Sequence, residues 1–384
     1  MAPAALIVVL GDLGRSPRMV NHARALLARG WHVALAGYDE NPLPAELREN
    51  PAVSVVPLRP GGRALLRLAQ AISSRCWTAI LIQNPPGFPA LAVAALLAPP
   101  GARLALDWHN LGGTLLALRA TARRRWAWLY SWCEGLASAA ADDHWAVSAA
   151  LARAVRRGGT SVIYDQPSQS FCAAAVSSED RSVWWRRILP GQPVPSAQLW
   201  VAAPSSWGPD EDHGALLGAA RSAQQNRDHW NALPSIAIIA TGKGPGQAEF
   251  ARAAMEFADG PIALRTAWIP AEAYPAFLGH ADLGVCLHRS SSGLDLPMKL
   301  ADFRGAGLPA LVCDYGPVLE EILARDATTR RFVGSVQLAQ ALREFSSGAV
   351  PRRCAVAAPK TWEAEWDRRL GAWADEQLLA PAIL

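Results

Sequence analysis

Residues 282–308 read DLGVCLHRSSSGLDLPMKLADFRGAGL, and the way this stretch changes character along its length decides the fold. The apolar run Asp282–Leu287 has the length and the bounding signals of a buried strand. A Ser/Gly turn follows, and Leu296–Ala306 then predicts a helix, with Pro297 in its first turn, where a missing N–H costs little, and Gly305 and Gly307 near its end. Backbone N–H groups are expected to gather at Ser291 to Asp295. Such a helix start favours an anion through unpaired donors and the macrodipole, and Lys299 one turn in adds positive charge. Asp302 lies seven residues after Asp295, two turns along the same face, where a carboxylate can accept hydrogen bonds from ribose hydroxyls. The stretch therefore reads as a nucleoside-diphosphate cradle. The competing reading is an ordinary loop whose aspartates cap or solvate a helix.

Strand, turn and helix alternate through the rest of the chain. In the first half the strand-like runs are Leu6–Leu10, His32–Ala36, Ala79–Ile82, Leu104–Asp107, Trp145–Val147 and Ser161–Tyr164, with helical patterns such as Ser16–Arg29 between them. Residues 186–197 carry three prolines and a glycine, the composition of a connector. The alternation restarts at Leu199–Ala203, Ser235–Thr241, Ala263–Ala267, Leu283–Leu287 and Ala310–Cys313. The expected fold is α/β, two doubly wound domains facing each other. The expected divisions are 1–185, a linker at 186–197, 198–360, and a closing helix at 361–384 that packs back across the domains. Over Thr361–Leu379 that helix carries Trp362, Trp366, Leu370 and Trp373 on one stripe. In such sheets ligands bind beyond the carboxyl ends of the strands, so the loops there are where chemistry is sought.

Composition narrows the function. The 384 residues are 51% hydrophobic, enough for two cores, with a formal net charge of +4 spread thinly, which does not indicate nucleic-acid binding. Six cysteines without a C-x-x-C pair argue against a zinc site or a disulfide framework and fit a reducing setting. Ala4–Leu10 is too short for a signal peptide, and no apolar run reaches the roughly eighteen residues of a membrane span. Sixteen tryptophans are many for this length. Trp126, Trp128 and Trp132 join Arg119, Arg123, Arg124 and Arg125 in one helical segment, the pairing an interfacial membrane helix uses. A solvated helix with its indoles in the core is the alternative.

The remaining loops are polar where a site is expected. Gly11–Arg18 follows the first strand, with Ser16 and Pro17 as N-cap and first helical residue and with Arg15 and Arg18 suited to a phosphorylated ligand. It is not the G-x-G-x-x-G of dinucleotide enzymes, so a nicotinamide oxidoreductase is improbable. Asn84 lies in the loop after another strand. His109 follows Asp107 and is the candidate general base, because an imidazole titrates near neutrality and a carboxylate beside it tunes it; Asp12 and Asp107 are rivals. In the second half, glycines flank Lys243 and let it approach a phosphate. The triplet Asp210-Glu211-Asp212 reads as helix-dipole stabilisation rather than as a metal site.

The motifs GDLGRSPRM at 11–19, LIQNPPGFP at 81–89, DWHN at 107–110, YDQP at 164–167, SSWGPDED at 205–212, TGKGP at 241–245 and SSSGLDLPMK at 290–299 span nearly the whole chain. In that order they resemble the dolichol-pathway β-1,4-mannosyltransferases, glycosyltransferases that add the first mannose to a chitobiosyl diphosphodolichol lipid. The resemblance implies a GT-B fold of two Rossmann-like domains, GDP-mannose as donor in the second, a lipid-linked acceptor in the first, and inversion at the anomeric carbon. It places GDP against Lys243, Ser291, Ser292, Gly293, Asp295, Lys299 and Asp302, with Glu321 near ribose or guanine. The acceptor pyrophosphate would meet Gly14, Arg15, Arg18 and Asn84, and His109, Asp107 or Asp12 would deprotonate the attacking hydroxyl. No obligatory cofactor or metal is implied.

The implied partners are a nucleotide sugar, a polyprenyl- or dolichyl-diphosphate glycan and a membrane surface. The implied location is peripheral, on the cytosolic face of the endoplasmic reticulum in a eukaryote or of the inner membrane in a bacterium. Eukaryotic members begin with a membrane anchor whereas this chain enters its first strand at once, so attachment would fall to Arg119–Trp132. Arg325–Val333 lacks the Asn-Gly turn expected after the helix bearing Glu321. High Ala, Arg and Pro content points to a bacterial homologue. The runner-up is therefore a bacterial GT-B transferase acting on a polyprenyl-diphosphate exopolysaccharide intermediate with another nucleotide sugar. A catalytically silent subunit that binds lipid-linked sugars is the alternative outside enzymes.

Overall fold

A computed structural model describes residues 2–61, 63–118, 124–173, 181–349 and 360–379. The chain divides into two compact units, Met1–Asp165 with Trp362–Leu384, and Gln166–Thr361. The first contains β1 (Ala4–Asp12), β2 (His32–Tyr38), β3 (Val53–Pro57), β4 (Ala79–Asn84), β5 (Arg103–Trp108), β6 (Asp143–Ala146) and β7 (Ser161–Val162). These seven form one parallel sheet in the order β3-β2-β1-β4-β5-β6-β7. The second contains β8 (Leu199–Pro204), β9 (Ile236–Thr241), β10 (Ile262–Ala267), β11 (Leu283–Cys286), β12 (Ala310–Cys313) and β13 (Thr329–Phe332), parallel in the order β10-β9-β8-β11-β12-β13. Both are doubly wound Rossmann-like sheets. In each, the order reverses beside the first strand, so the loops after β1 and β4, and after β8 and β11, border a topological switch point.

The interior strands are apolar without alternation because helices cover both faces; β8 and β9 are buried at every residue. The edge strands β3 and β13 escape the sequence reading for the opposite reason. β3 is mostly exposed, and β13 is Thr-Arg-Arg-Phe, with Thr329 and Phe332 buried and the arginines outward.

Four expectations shift in position. The helix expected from Leu296 starts at Lys299 and ends at Gly305, since Leu296 precedes proline and is disfavoured in helical geometry. The long Arg/Trp segment is two helices, Gly112–Leu118 and Arg124–Ser138; Arg119 and Arg123 lie outside the described residues, as does the side chain of Arg124. The division after the first unit falls at Asp165 rather than within 186–197, because Trp184 and Trp185 on the helix Arg181–Ile188 are buried in the second unit's core with Trp200 and Phe277. The closing helix Trp362–Leu379, expected across both domains, belongs to the first unit. It buries Trp362, Trp366, Leu370 and Ala374 among Met19, Val20, Ala23 and Leu26 of the helix Pro17–Ala28. Among the described residues no helix is long and apolar enough to cross a membrane.

Candidate functional site

In the first unit the chemistry centres on Asp107, near the end of β5. Its carboxylate is fully buried and receives four donors. Arg18 donates from Nε at 2.8 Å and from Nη2 at 2.9 Å, His22 lies with Nε2 at 3.2 Å, and His109 with Nε2 at 2.7 Å. Burial alone would raise the Asp107 pKa, but the Arg18 guanidinium and the two imidazoles hold it well below the carboxylate range. Arg18, 1% exposed, also donates from Nη1 to Asp165 at 2.7 Å and to the Ile163 carbonyl at 2.9 Å. The indole N–H of Trp366 donates to His22 Nδ1 at 3.0 Å. That nitrogen accepts, so the His22 proton sits on Nε2 and faces Asp107. Burial keeps His22 neutral, lowering its pKa although Asp107 opposes the shift.

His109 is the member of this network that reaches solvent, with a side chain 21% exposed. Its Nε2–H is taken by Asp107, which leaves Nδ1 as the basic nitrogen. This carboxylate-oriented imidazole is the arrangement of a general base.

Several expectations change here. Asp107 is a poor base, being buried and already accepting four hydrogen bonds from three side chains; it orients His109 instead. Arg18 does not present its guanidinium to a ligand, because the fork is consumed by Asp107 and Asp165. Asp12 is half-buried and accepts from the Asn41 backbone at 3.0 Å, the Asn41 amide at 2.7 Å and the Glu40 backbone at 3.2 Å, which ties β1 to the loop after β2. Asn84 is fully buried, accepts from Gly87 N–H at 2.7 Å and donates to the Asn110 carbonyl at 3.3 Å, so it shapes its loop rather than meeting a ligand. Ser16 caps nothing with its side chain; its hydroxyl donates to the Asp12 carbonyl at 3.0 Å. Gly14 packs against the Asn41 backbone, and Arg15 is exposed at the same turn.

Behind His109, Glu134 reaches from the helix Arg124–Ser138 to the start of the helix Gly112–Leu118, where Gly112 N–H donates to it at 3.1 Å. Burial pushes its carboxyl up to about 7 despite hydrogen bonds from Asn84 and Gly112. Gly113 makes the close approach of the two helices feasible, since a Cβ there would fall 1.9 Å from Ser131 Oγ.

In the second unit the loops after β8 and β11 meet at Glu211. This carboxylate accepts from Ser205 Oγ at 2.7 Å, Ser206 N–H at 2.8 Å and Trp207 N–H at 2.9 Å, and pairs with Lys299 Nζ. Burial opposes its ionisation, but His213, Lys299 and Ser205 hold it far below the carboxylate range. The loop carrying Lys243 lies flush on this one. Gly242 has φ 110°, and a Cβ on it would sit 1.8 Å from the Ser205 carbonyl oxygen. Lys243 stands over the exposed Trp268 ring, 4.2 Å from its centroid.

The acidic triplet thus divides its work. Asp212 caps the helix His213–Gln225 through Ala215 N–H at 3.2 Å, which is the expected dipole role, while Glu211 holds Lys299 and Asp210 lies 3.5 Å from His288. Among the described residues no group of three or more His, Cys, Asp or Glu side chains is placed to hold a metal ion.

Asp295 holds the turn after β11. It pairs with His288 Nε2 at 2.8 Å and accepts from the Ser290 hydroxyl. Ser290 Oγ receives Gly293 N–H at 2.8 Å, and Ser292 Oγ receives Leu294 N–H at 3.1 Å, so serine hydroxyls take part of the donor cluster expected to be open for phosphate. Asp302 is half-buried in the first turn of the Lys299 helix and lies close enough to Tyr274 to help raise that phenol. Glu321 is half-buried in the short helix Glu320–Leu323, which follows β12.

Sequence reasoning missed His288, whose pKa the Asp210 and Asp295 carboxylates push up to about 9 against its burial, making it a second cation beside Lys299. It also missed Trp268, for which the signal was an aromatic residue immediately after a strand's carboxyl end.

A family model described as a glycosyl transferase 4-like domain matches residues 14–162. A chitobiosyldiphosphodolichol beta-mannosyltransferase of Kluyveromyces lactis is 31% identical over 367 residues, covering 88% of this chain and 81% of the relative. The protein of the same name in Yarrowia lipolytica is 30% identical, covering 95% and 85%, and the human one is 30% identical, covering 88% and 84%. Among solved structures, the sucrose-phosphate synthase of Thermosynechococcus elongatus aligns with a TM-score of 0.68 at 16% identity, over 99% of this chain and 97% of that one. An Anabaena protein solved with UDP and glucose aligns at 0.62 and 15% identity, over 98% of each chain. These likenesses place the two sheets in the GT-B fold class.

Proposed function

The chain belongs to the chitobiosyldiphosphodolichol beta-mannosyltransferase family, and from that premise we propose that it moves a mannosyl group from GDP-mannose to the 4-hydroxyl of a GlcNAc-type sugar on a lipid diphosphate, with inversion. The observation that carries the chemistry is the His109 imidazole, oriented through Nε2 by buried Asp107 with Nδ1 left to accept a proton. The acceptor O4 attacks the anomeric carbon while the bond from that carbon to the diphosphate oxygen breaks. His109 Nδ1 takes the hydroxyl proton, and GDP leaves with the electron pair.

Charge on the departing diphosphate is met by protonated His288 just past β11, by Lys299 at the start of the following helix, and by Lys243 in the loop after β9. Lys299 pairs with Glu211 and His288 with Asp210 and Asp295, so their charge is shared with these carboxylates, and the reading proposes transfer without an obligatory metal. The exposed face of Trp268 next to Lys243 suits the guanine ring, and Asp302 or Glu321 the ribose hydroxyls. Arg15 is the exposed cation of the first unit's switch point and suits the acceptor pyrophosphate. The protein works peripherally at the cytosolic face of a membrane.

The decisive experiment is product analysis with GDP-mannose and a synthetic chitobiosyl diphosphate lipid, with and without EDTA. A β-1,4-linked mannosyl product formed in the presence of chelator is expected. Absence of product with this pair, together with turnover of a UDP-sugar, overturns the reading.

A further inference from the structure

Most of the described tryptophans are buried, but Trp126, Trp128 and Trp132, all on the helix Arg124–Ser138, are 65%, 70% and 55% exposed. Leu129 and Leu136 are exposed on the same helix, and Arg125, Trp126, Trp128 and Leu129 line a shallow open pocket. The opposite face is firmly committed. Ala127, Glu134 and Ser138 are buried, and Tyr130 donates its hydroxyl to the Phe88 carbonyl at 3.1 Å. The helix is therefore anchored inward and displays an apolar outer face by construction.

We propose that this outer face docks on an anionic lipid surface. The exposed face carries no carboxylate; the helix's one acidic residue, Glu134, is on the buried side. Arg125 is exposed on it. That charge complements anionic headgroups. Indole rings suit the boundary between headgroups and chains, apolar in body with one N–H donor, and a helix of 15 residues, about 22 Å long, lies in that layer rather than across it. A protein partner or a second copy would bring hydrogen-bonding edges, and this face offers little beyond the indoles to meet them.

The inference deepens the peripheral location proposed above and does not rest on the transfer reaction, so failure of docking and failure of transfer are distinguishable. The test is co-sedimentation of the full chain with vesicles of equal parts phosphatidylglycerol and phosphatidylcholine, compared with phosphatidylcholine alone. The wild type is expected to partition onto the anionic vesicles. Trp126→Ser/Trp128→Ser/Trp132→Ser should lower the partition coefficient by roughly 100-fold. Arg125→Glu should lower it about tenfold on anionic vesicles and leave binding to neutral ones unchanged. Both variants should retain the wild-type melt and transfer to a short-chain, water-soluble acceptor. Unchanged vesicle affinity in the triple variant overturns the proposal. So does a wild type that ignores vesicles but forms a concentration-dependent dimer that the triple variant abolishes.

Discussion

At the scale of single residues, the informative contrast is between His109 and Asp107, two residues apart in the sequence motif and opposite in role. His109→Ala should lower kcat by about 10² to 10⁴-fold while leaving the donor KM near its wild-type value, as expected for loss of a proton acceptor used only in the transition state. Equal losses in kcat and donor binding, measured by steady-state kinetics, would remove His109 from the role. Asp107→Asn acts differently, because it leaves the buried Arg18 fork and His22 facing a neutral amide; a stability loss of about 3 kcal/mol or more should accompany its loss of turnover. In the second unit, His288 is held protonated by Asp210 and Asp295 up to about pH 9. With its pKa raised to about 9, the positive charge is essentially complete at neutral pH and disappears as pH rises through about 9. Donor KM should accordingly climb across that upper limb in a pH profile, and His288→Gln should flatten it at a uniformly higher KM.

At the scale of elements, the helix pair Gly112–Leu118 and Arg124–Ser138 joins the loop of His109 to an exposed apolar face through one carboxyl group. Glu134 titrates near pH 7 in the folded protein against about 4.5 unfolded, so folding favours its protonated form. The stability this confers is fully present below about 4.5 and is lost as pH rises through about 7, a change of at most about 3 kcal/mol. Glu134→Gln keeps an acceptor for Gly112 N–H and removes the titration. It should therefore be more stable than wild type at pH 8 and equal to it at pH 4 in urea unfolding. Identical pH dependence in the two proteins would show that the group is solvated.

This pair also marks the limit of what the sequence makes legible. Arginine and tryptophan in one segment pointed to an interface, but the packing of the two helices on each other and the bond from Glu134 to Gly112 depend on contacts that no periodicity records. The interior strands were readable because burial on both faces makes them continuously apolar, as was the buried edge strand β10, and β3 and β13 were hidden because exposed residues interrupt them. At Ser291–Asp302 the order strand, turn, helix was readable and its geometry was not: Pro297 delays the helix, and the serine hydroxyls satisfy two of the N–H groups that the motif appeared to leave open.

At the scale of the whole molecule, the last helix completes the first unit's core and reaches its chemistry. Trp366 donates to His22, 344 residues away in sequence, and His22 in turn faces the carboxylate that orients His109. Residues near the carboxyl end thereby fix a tautomer beside the proposed base. Trp362, in the same helix, places its ring under Arg18 at 5.1 Å, yet its buried indole N–H meets no partner among the described residues. The two tryptophans therefore separate packing from hydrogen bonding. Trp366→Phe keeps an aromatic ring but leaves His22 Nδ1 without its donor; it should cost about 1 kcal/mol or somewhat more and lower kcat severalfold with little change in donor KM. Trp362→Phe removes no hydrogen bond and should affect stability by packing alone, with kcat preserved. Truncation after Thr361 removes both rings and uncovers the helix Pro17–Ala28. Scanning calorimetry should then show the first unit's transition lost or shifted steeply downward while that of Gln166–Thr361 persists. A kcat for Trp366→Phe equal to that of wild type would confine the closing helix to a packing role and detach His22 from the chemistry of His109.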